Sequence, residues 1–172
     1  MSARPDADLV RAAQAGDVVS FEMLYAKYAP VVHAIVLGRL PAVDADDVTQ
    51  NVFITAFTKL DSLREPAAFA GWIARIARNA AADGLRARHS TEELDAEYAA
   101  RATQAEAAEA ARALAAIREL PEAYRETLML RLVEGMSGPE IAERTGLTAG
   151  SVRVNLHRGM QLLREALDRG AA

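Results

Sequence analysis

The side chains best suited to do chemistry lie between Phe69 and Arg88, in the run FAGWIARIARNAAADGLRAR. At helical spacing Arg75, Arg78, Asn79, Ala82 and Arg86 share one face. That face carries three guanidiniums around one amide and no carboxylate. A guanidinium grips phosphate and stacks on bases, and an amide reads a base edge, so the chemistry offered is recognition of a nucleic-acid strand. In isolation such a face is most often the solvated side of an amphipathic helix. The opposite stripe, Phe69, Trp72, Ile73, Ile76, Ala77 and Ala80, is the one a helix buries, and Trp72 on it reads as a core anchor rather than a stacking platform.

A second cluster lies near the C-terminus. Ser137 can cap a helix over Pro139 to Arg144, and Thr145-Gly146-Leu147 then supplies a left-handed turn and a packing contact. Thr148 can cap a further helix with an inward stripe of Val152, Leu156, Met160, Leu163 and Leu167. Ser151, Arg153, His157 and Arg158 lie outside that stripe near the start of the helix. This is a helix-turn-helix pattern, with the basic side chains where a recognition helix meets the major groove. The same geometry also occurs as plain helix packing, and the absence of any acid from residues 148–164 favours DNA.

Other chemistries find little support. The chain has no cysteine, its three histidines (His33, His89 and His157) are far apart, and no HExxH, glycine-rich phosphate loop or GxSxG occurs. His157 has no second ligand one helical turn away. No metal, cofactor or enzymatic activity is expected. No apolar run is long enough to span a bilayer, and the N-terminus, MSARPDADLV, lacks a signal-peptide core, so a cytoplasmic protein is expected.

The elements that must position these groups all read as helix. Asp6 or Asp8 can cap a short first helix ending near Gly16. Phe21, Leu24, Tyr25, Tyr28, Val32, Ile35 and Val36 form the stripe of a second, with Pro30 as a kink. Asp44 can cap a third with Val48, Val52, Phe53, Ala56, Phe57 and Leu60 buried; Asp46, Asp47, Gln50 and Asn51 remain outside. The net charge of −4 hides a strong segregation: residues 90–111 carry a net of −5, whereas residues 69–88 and 148–164 each carry +3. The acidic stretch has few large apolar residues and reads as a flexible, solvated linker whose alanine and glutamate content favours helix. The expected fold is all-α: two small helical domains, residues 1–88 and 112–172, joined by an acidic flexible linker over 89–111. Each core is small enough to gain from a partner.

In this arrangement the chain resembles the extracytoplasmic-function (group IV) RNA polymerase sigma factors of the sigma-70 family. FAGWIARIARNAAADGLR resembles their promoter-melting helix in region 2, and DADDVTQNVFITAF resembles the helix that docks on the polymerase clamp. The run from Leu120 to Leu167 resembles the region 4 promoter-binding domain. The resemblance implies that Asp44, Asp47, Gln50 and Asn51 meet the β′ clamp of core RNA polymerase. It implies that Asn79, with Leu63 and Arg64, captures a base flipped from the non-template single strand of the −10 element, while Arg75, Arg78 and Arg86 hold that strand's backbone. Ser151, Arg153, His157 and Arg158 match the −35 contact. Leu128, Leu132 and Val133 serve either the C-terminal core or a β-flap contact, the core being favoured.

Three departures from the family pattern stand out. Asn51 replaces a common glutamate, and Leu63 replaces a common phenylalanine. Val154, Asn155 and Met160 make the −35 helix less cationic than usual. The family implies an anti-sigma factor as a further partner, and no appended regulatory domain is expected beyond Ala172. The alternative reading is a stand-alone helix-turn-helix regulator that binds a palindrome as a dimer.

Overall fold

A computed structural model describes residues 4–92 and 105–169. All regular structure among them is helical: α1 (Asp6–Gln14), α2 (Val18–Leu37), α3 (Ala42–Lys59), α4 (Phe69–Glu92), α5 (Ala105–Arg118), α6 (Glu122–Leu132), α7 (Gly138–Thr145) and α8 (Ala149–Arg169). Two short 3-10 turns, Leu60–Ser62 and Pro66–Ala68, connect α3 to α4. Part of the expected linker is helix, since α4 runs on to Glu92 and α5 starts at Ala105; the remainder lies outside the described residues.

The N-terminal helices α1 to α4 enclose one apolar core. Val10, Leu24, Val32, Ala56, Phe69, Ile73 and Ala77 are fully buried there. Each comes from a helix whose apolar residues recur every three or four positions, so collapse of these stripes onto one another fixes the bundle. Tyr28 is buried edge-on to Phe69, and its hydroxyl donates to Asp6 at 2.5 Å. Burial, followed by the hydrogen bond to that carboxylate, raises the Tyr28 pKa well above the ordinary phenol value.

Several details differ from the sequence expectation. Neither Asp6, Asp8 nor Asp44 caps a helix: Pro5 and Pro41 occupy those cap positions, and the aspartates sit in the first turns. Their negative charge there favours the positive end of the helix dipole without a cap bond. Helix α2 continues through Pro30. It also buries Val31, Ala34 and Leu37, which lie off the expected stripe, because α6 and α7 cover its other side. Tyr25 and Phe57, expected inside, are exposed. In α4 the buried row is Phe69, Ile73, Ala77 and Ala81, while Trp72, Ile76 and Ala80 are only partly covered.

The C-terminal helices form the expected helix-turn-helix. Ser137 caps α7 with a reciprocal capping box to Glu140, whose carboxylate accepts from the Ser137 amide at 2.7 Å. Hydrogen bonding to Ser137, through its side chain first and its backbone second, holds the Glu140 carboxyl below its ordinary value. Gly146 ends α7 at φ 74°, a conformation that a side chain would strain. Leu147, expected as a packing contact, is 39% exposed and lies outside the buried core. The seam between α6 and α8 is tight at Gly159, where an added Cβ would lie 3.1 Å from Leu128.

Candidate nucleic-acid interface

The face of α4 forms as a unit only in part. Arg75, Asn79 and Arg86 are exposed, and the row Phe69–Ile73–Ala77–Ala81 behind them anchors the helix in the core. Arg86 pairs with Asp83 one turn away. Arg78 is half-buried: its Nε and Nη2 donate to the two carboxylate oxygens of Glu126, each at 2.8 Å. The Glu126 hydrogen bonds raise the Arg78 pKa further above its ordinary value, outweighing the opposing effect of burial. Trp72 packs on Phe69 with ring centroids 5.9 Å apart, and so belongs with the core side of the helix.

The loop before α4 separates the two residues assigned to it. Arg64 is exposed. Leu63 is turned inward, only 8% exposed, and its carbonyl accepts from Gln14 at 2.9 Å. Gln14 also donates to the Leu60 carbonyl at 3.0 Å, so one amide of α1 holds the loop at two points. The sequence gives no signal for this brace.

On α3, Asp47, Gln50 and Asn51 are exposed along one side. Asp44 is turned instead to Arg88 of α4, with 2.7 Å between Oδ2 and Nη1. Beside Gln50 lies an open groove lined by Phe21, Tyr25, Phe53, Ile54, Phe57 and Thr58. Its apolar rim is unusual for a solvated face, since Ile54 is 61% and Phe57 53% exposed. The sequence pattern hides this groove, because Phe57 reads as part of the buried stripe and Ile54 falls well outside it.

The first turns of α8 present a different surface. Thr148 accepts from the Ser151 amide at 3.1 Å and contacts the Ser151 hydroxyl at 2.9 Å, which fixes the start of the helix. Ser151, Arg153, His157 and Arg158 are all exposed, and among the described residues Arg153, His157 and Arg158 have no carboxylate within ion-pair reach. Val152 and Leu163 hold the opposite side of α8 in the core. A rigid helix with free cations at its N-terminal half can enter a major groove. Leu128 is fully buried, whereas Leu132 and Val133 are 49% and 40% exposed, so only the first belongs to the core.

Among the described residues no group of histidines and carboxylates could hold a metal ion, and no helix is long and apolar enough to cross a membrane.

Comparison with known proteins agrees with this geometry. Residues 24–91 match the family model for sigma-70 region 2, and residues 110–163 match that for sigma-70 region 4. The chain is 33% identical to the ECF RNA polymerase sigma-E factor of Escherichia coli (strain K12), over 95% of this chain and 92% of that protein. It is 28% identical to the ECF RNA polymerase sigma factor SigW of Bacillus subtilis (strain 168), over 72% of this chain and 75% of that protein. Among solved structures, CnrH in complex with the cytosolic domain of CnrY superposes with a TM-score of 0.61 at 28% identity, covering 96% of this chain and 99% of CnrH. Two separately matched regions in the right order, one carrying the Arg75–Asn79 face and the other the basic start of α8, place this chain in the sigma-70 family, among the extracytoplasmic-function sigma factors.

Proposed function

We propose that the protein is a dissociable, non-enzymatic subunit that binds core RNA polymerase and directs it to promoters. The observation that carries this reading is the pairing of two basic helical faces, one on each sigma-70 region, open at the start of α8 and partly covered on α4. The start of α8 reads the −35 duplex through Ser151, Arg153, His157 and Arg158. The α4 face takes the non-template strand of the −10 element: Arg75, Arg78 and Arg86 hold phosphates, and Asn79 with Arg64 reads the flipped base. Leu63 serves this pocket by setting the loop's backbone, because its side chain faces the core. Unstacking a base costs a few kcal/mol, so the pocket must return that energy through hydrogen bonds and packing. The polar side of α3, with Asp47, Gln50 and Asn51, meets the β′ clamp. Asp44 joins it only by leaving Arg88, and the exposed Leu132 and Val133 are available to the β flap. Two modest sites on one chain gain from effective concentration, so neither needs to be strong alone. The site of action is the cytoplasm.

CnrH is found in complex with the cytosolic domain of CnrY, and the sigma factor RpoE of Bartonella quintana with the anti-sigma factor NepR; a comparable partner fits this chain. A stand-alone helix-turn-helix repressor would leave the region 2 match over residues 24–91 without a role.

The test is transcription with purified core polymerase, followed by permanganate mapping of the melted −10 region. Asn79→Ala should reduce melting by about 2 kcal/mol or more, the scale of one lost base contact, while leaving core binding intact. Equal loss of both activities would make Asn79 structural, and no promoter-dependent transcript from the wild-type protein would overturn the reading.

A further inference from the structure

The C-terminal half lies against the α4 face instead of standing clear of it. The two carboxylate oxygens of Glu126 take Nε and Nη2 of Arg78 side by side, each at 2.8 Å. Glu122, one helical turn earlier, lies 3.5 Å from the same Nε and also pairs with Arg39 of the N-terminal half. A bidentate, planar acceptor pair is what an arginine seeks in a phosphate group. These glutamates therefore occupy the donors that a DNA strand would need.

The rest of the contact is spread over several elements and combines polar pairs with the apolar cover that α6 and α7 give Val31, Ala34 and Leu37 of α2. Arg118, at the end of α5, donates to the Leu37 and Leu40 carbonyls at 3.0 and 2.9 Å, satisfying the open C-terminus of α2. His33 of α2 meets Glu134 at 2.6 Å, and Lys27 pairs with Glu143 at 3.2 Å. The hydrogen bonds and ion pairs of this seam can be exchanged for bonds to water at little cost, so the apolar cover of α2 is what chiefly opposes its opening. The seam is the kind of intrachain contact that opens and closes as a unit.

We infer that α6 is an internal strand mimic: Glu122 and Glu126 mask Arg78 in the closed chain and must be displaced before α4 can take single-stranded DNA. This rests on the reading of α4 as the −10 strand surface. The acidic pair has a sequence signature, two glutamates at i and i+4 on the first turns of α6. Its target could be identified only from the packing of the two halves.

The experiment uses the full-length Glu122→Gln/Glu126→Gln variant. A control of equal charge, Glu22→Gln/Glu165→Gln, alters exposed residues away from the seam. Small-angle scattering reads closure, and a fluorescent random-sequence single-stranded oligonucleotide reads strand affinity, since phosphate contacts need no particular sequence. The closed chain should have a radius of gyration of about 16 Å for its 172 residues. The double variant should expand beyond that and bind the strand about tenfold tighter than the control, as expected when a masked state loses its population advantage. Arg118→Ala should expand the chain in the same way with both glutamates kept, and circular dichroism confirms that each variant remains folded.

Unchanged dimensions in both variants would overturn the inference, as would expansion without tighter strand binding than the control. Failure of the sigma-factor reading would look different. The wild-type chain would then give no promoter-dependent transcript with core polymerase, while expansion and strand affinity would still respond to Glu122 and Glu126.

Discussion

The two basic helices of this protein look alike as sequence and differ in their surroundings. Helix α8 presents Arg153, His157 and Arg158 to solvent with no carboxylate in ion-pair reach among the described residues, whereas α4 has Arg78 clasped by Glu126 and Arg86 paired with Asp83. Their tasks differ in the same sense. Duplex DNA offers its phosphates at all times, so a surface for it can stand ready. A single strand exists only after melting, and a surface for it gains nothing by being open sooner. An arginine face therefore has to be judged by the charges that face it as well as by its own residues.

The largest expected effect tests the foundation of α4. Phe69 is fully buried against Tyr28 and Trp72, so Phe69→Ala should cost about 3–5 kcal/mol in denaturant unfolding. A loss below 1 kcal/mol would mean that the strand surface is not rigidly mounted. Next comes the open helix: Arg158→Ala should weaken −35 duplex binding by about 1–3 kcal/mol if the guanidinium reads a base. If it holds a phosphate, the change appears mainly as a salt dependence shallower by about one ion. Either way thermal stability should stay within about 0.5 kcal/mol, because Arg158 is exposed and makes no ion pair among the described residues.

Arg78→Ala makes the contrast sharper. It should cost about 1 kcal/mol of stability by leaving the largely buried Glu126 without its partner, a figure already discounted for the solvent around Arg78. Equal stability of the Arg78 and Arg158 variants would erase the distinction between the two helices. At a similar scale, Ser137→Ala should lower stability by about 1 kcal/mol by removing the α7 cap that orients the turn before α8.

The smallest effect concerns pH. The Glu140 carboxyl is held below its ordinary value of 4.5 by the Ser137 hydrogen bonds. Its contribution is therefore fully present above that value and is lost as the pH falls through the lowered one. Thermal scans of Glu140→Gln should lack the part of the acid sensitivity that the wild-type protein shows there.

The apolar periodicities made the helices legible, because a stripe repeating every three or four residues has only one low-energy use in a compact chain. The turn at Gly146 and the caps at Ser137 and Thr148 were legible for a local reason, since each depends on residues within four positions of itself. Prolines misled the reading of the first and third helices: a fixed φ at Pro5 and Pro41 set the helix starts, and the nearby aspartates were left in the first turn. Leu63 was legible as a loop residue but not as a buried one, because the brace from Gln14 comes from 49 residues away.

By itself the sequence determined the helical class, the order of the two regions, the acidic stretch between them and the residue types available for DNA. These follow from side-chain chemistry and from contacts within a few turns. Only the tertiary structure decided which of those residues are free. Val31, Ala34 and Leu37 became core because α6 and α7 cover the second side of α2, and Arg78 became half-buried because Glu126 lies opposite it. A side chain's burial and its charge partner depend on surfaces that meet across 48 residues of chain or more, and no local pattern records that meeting.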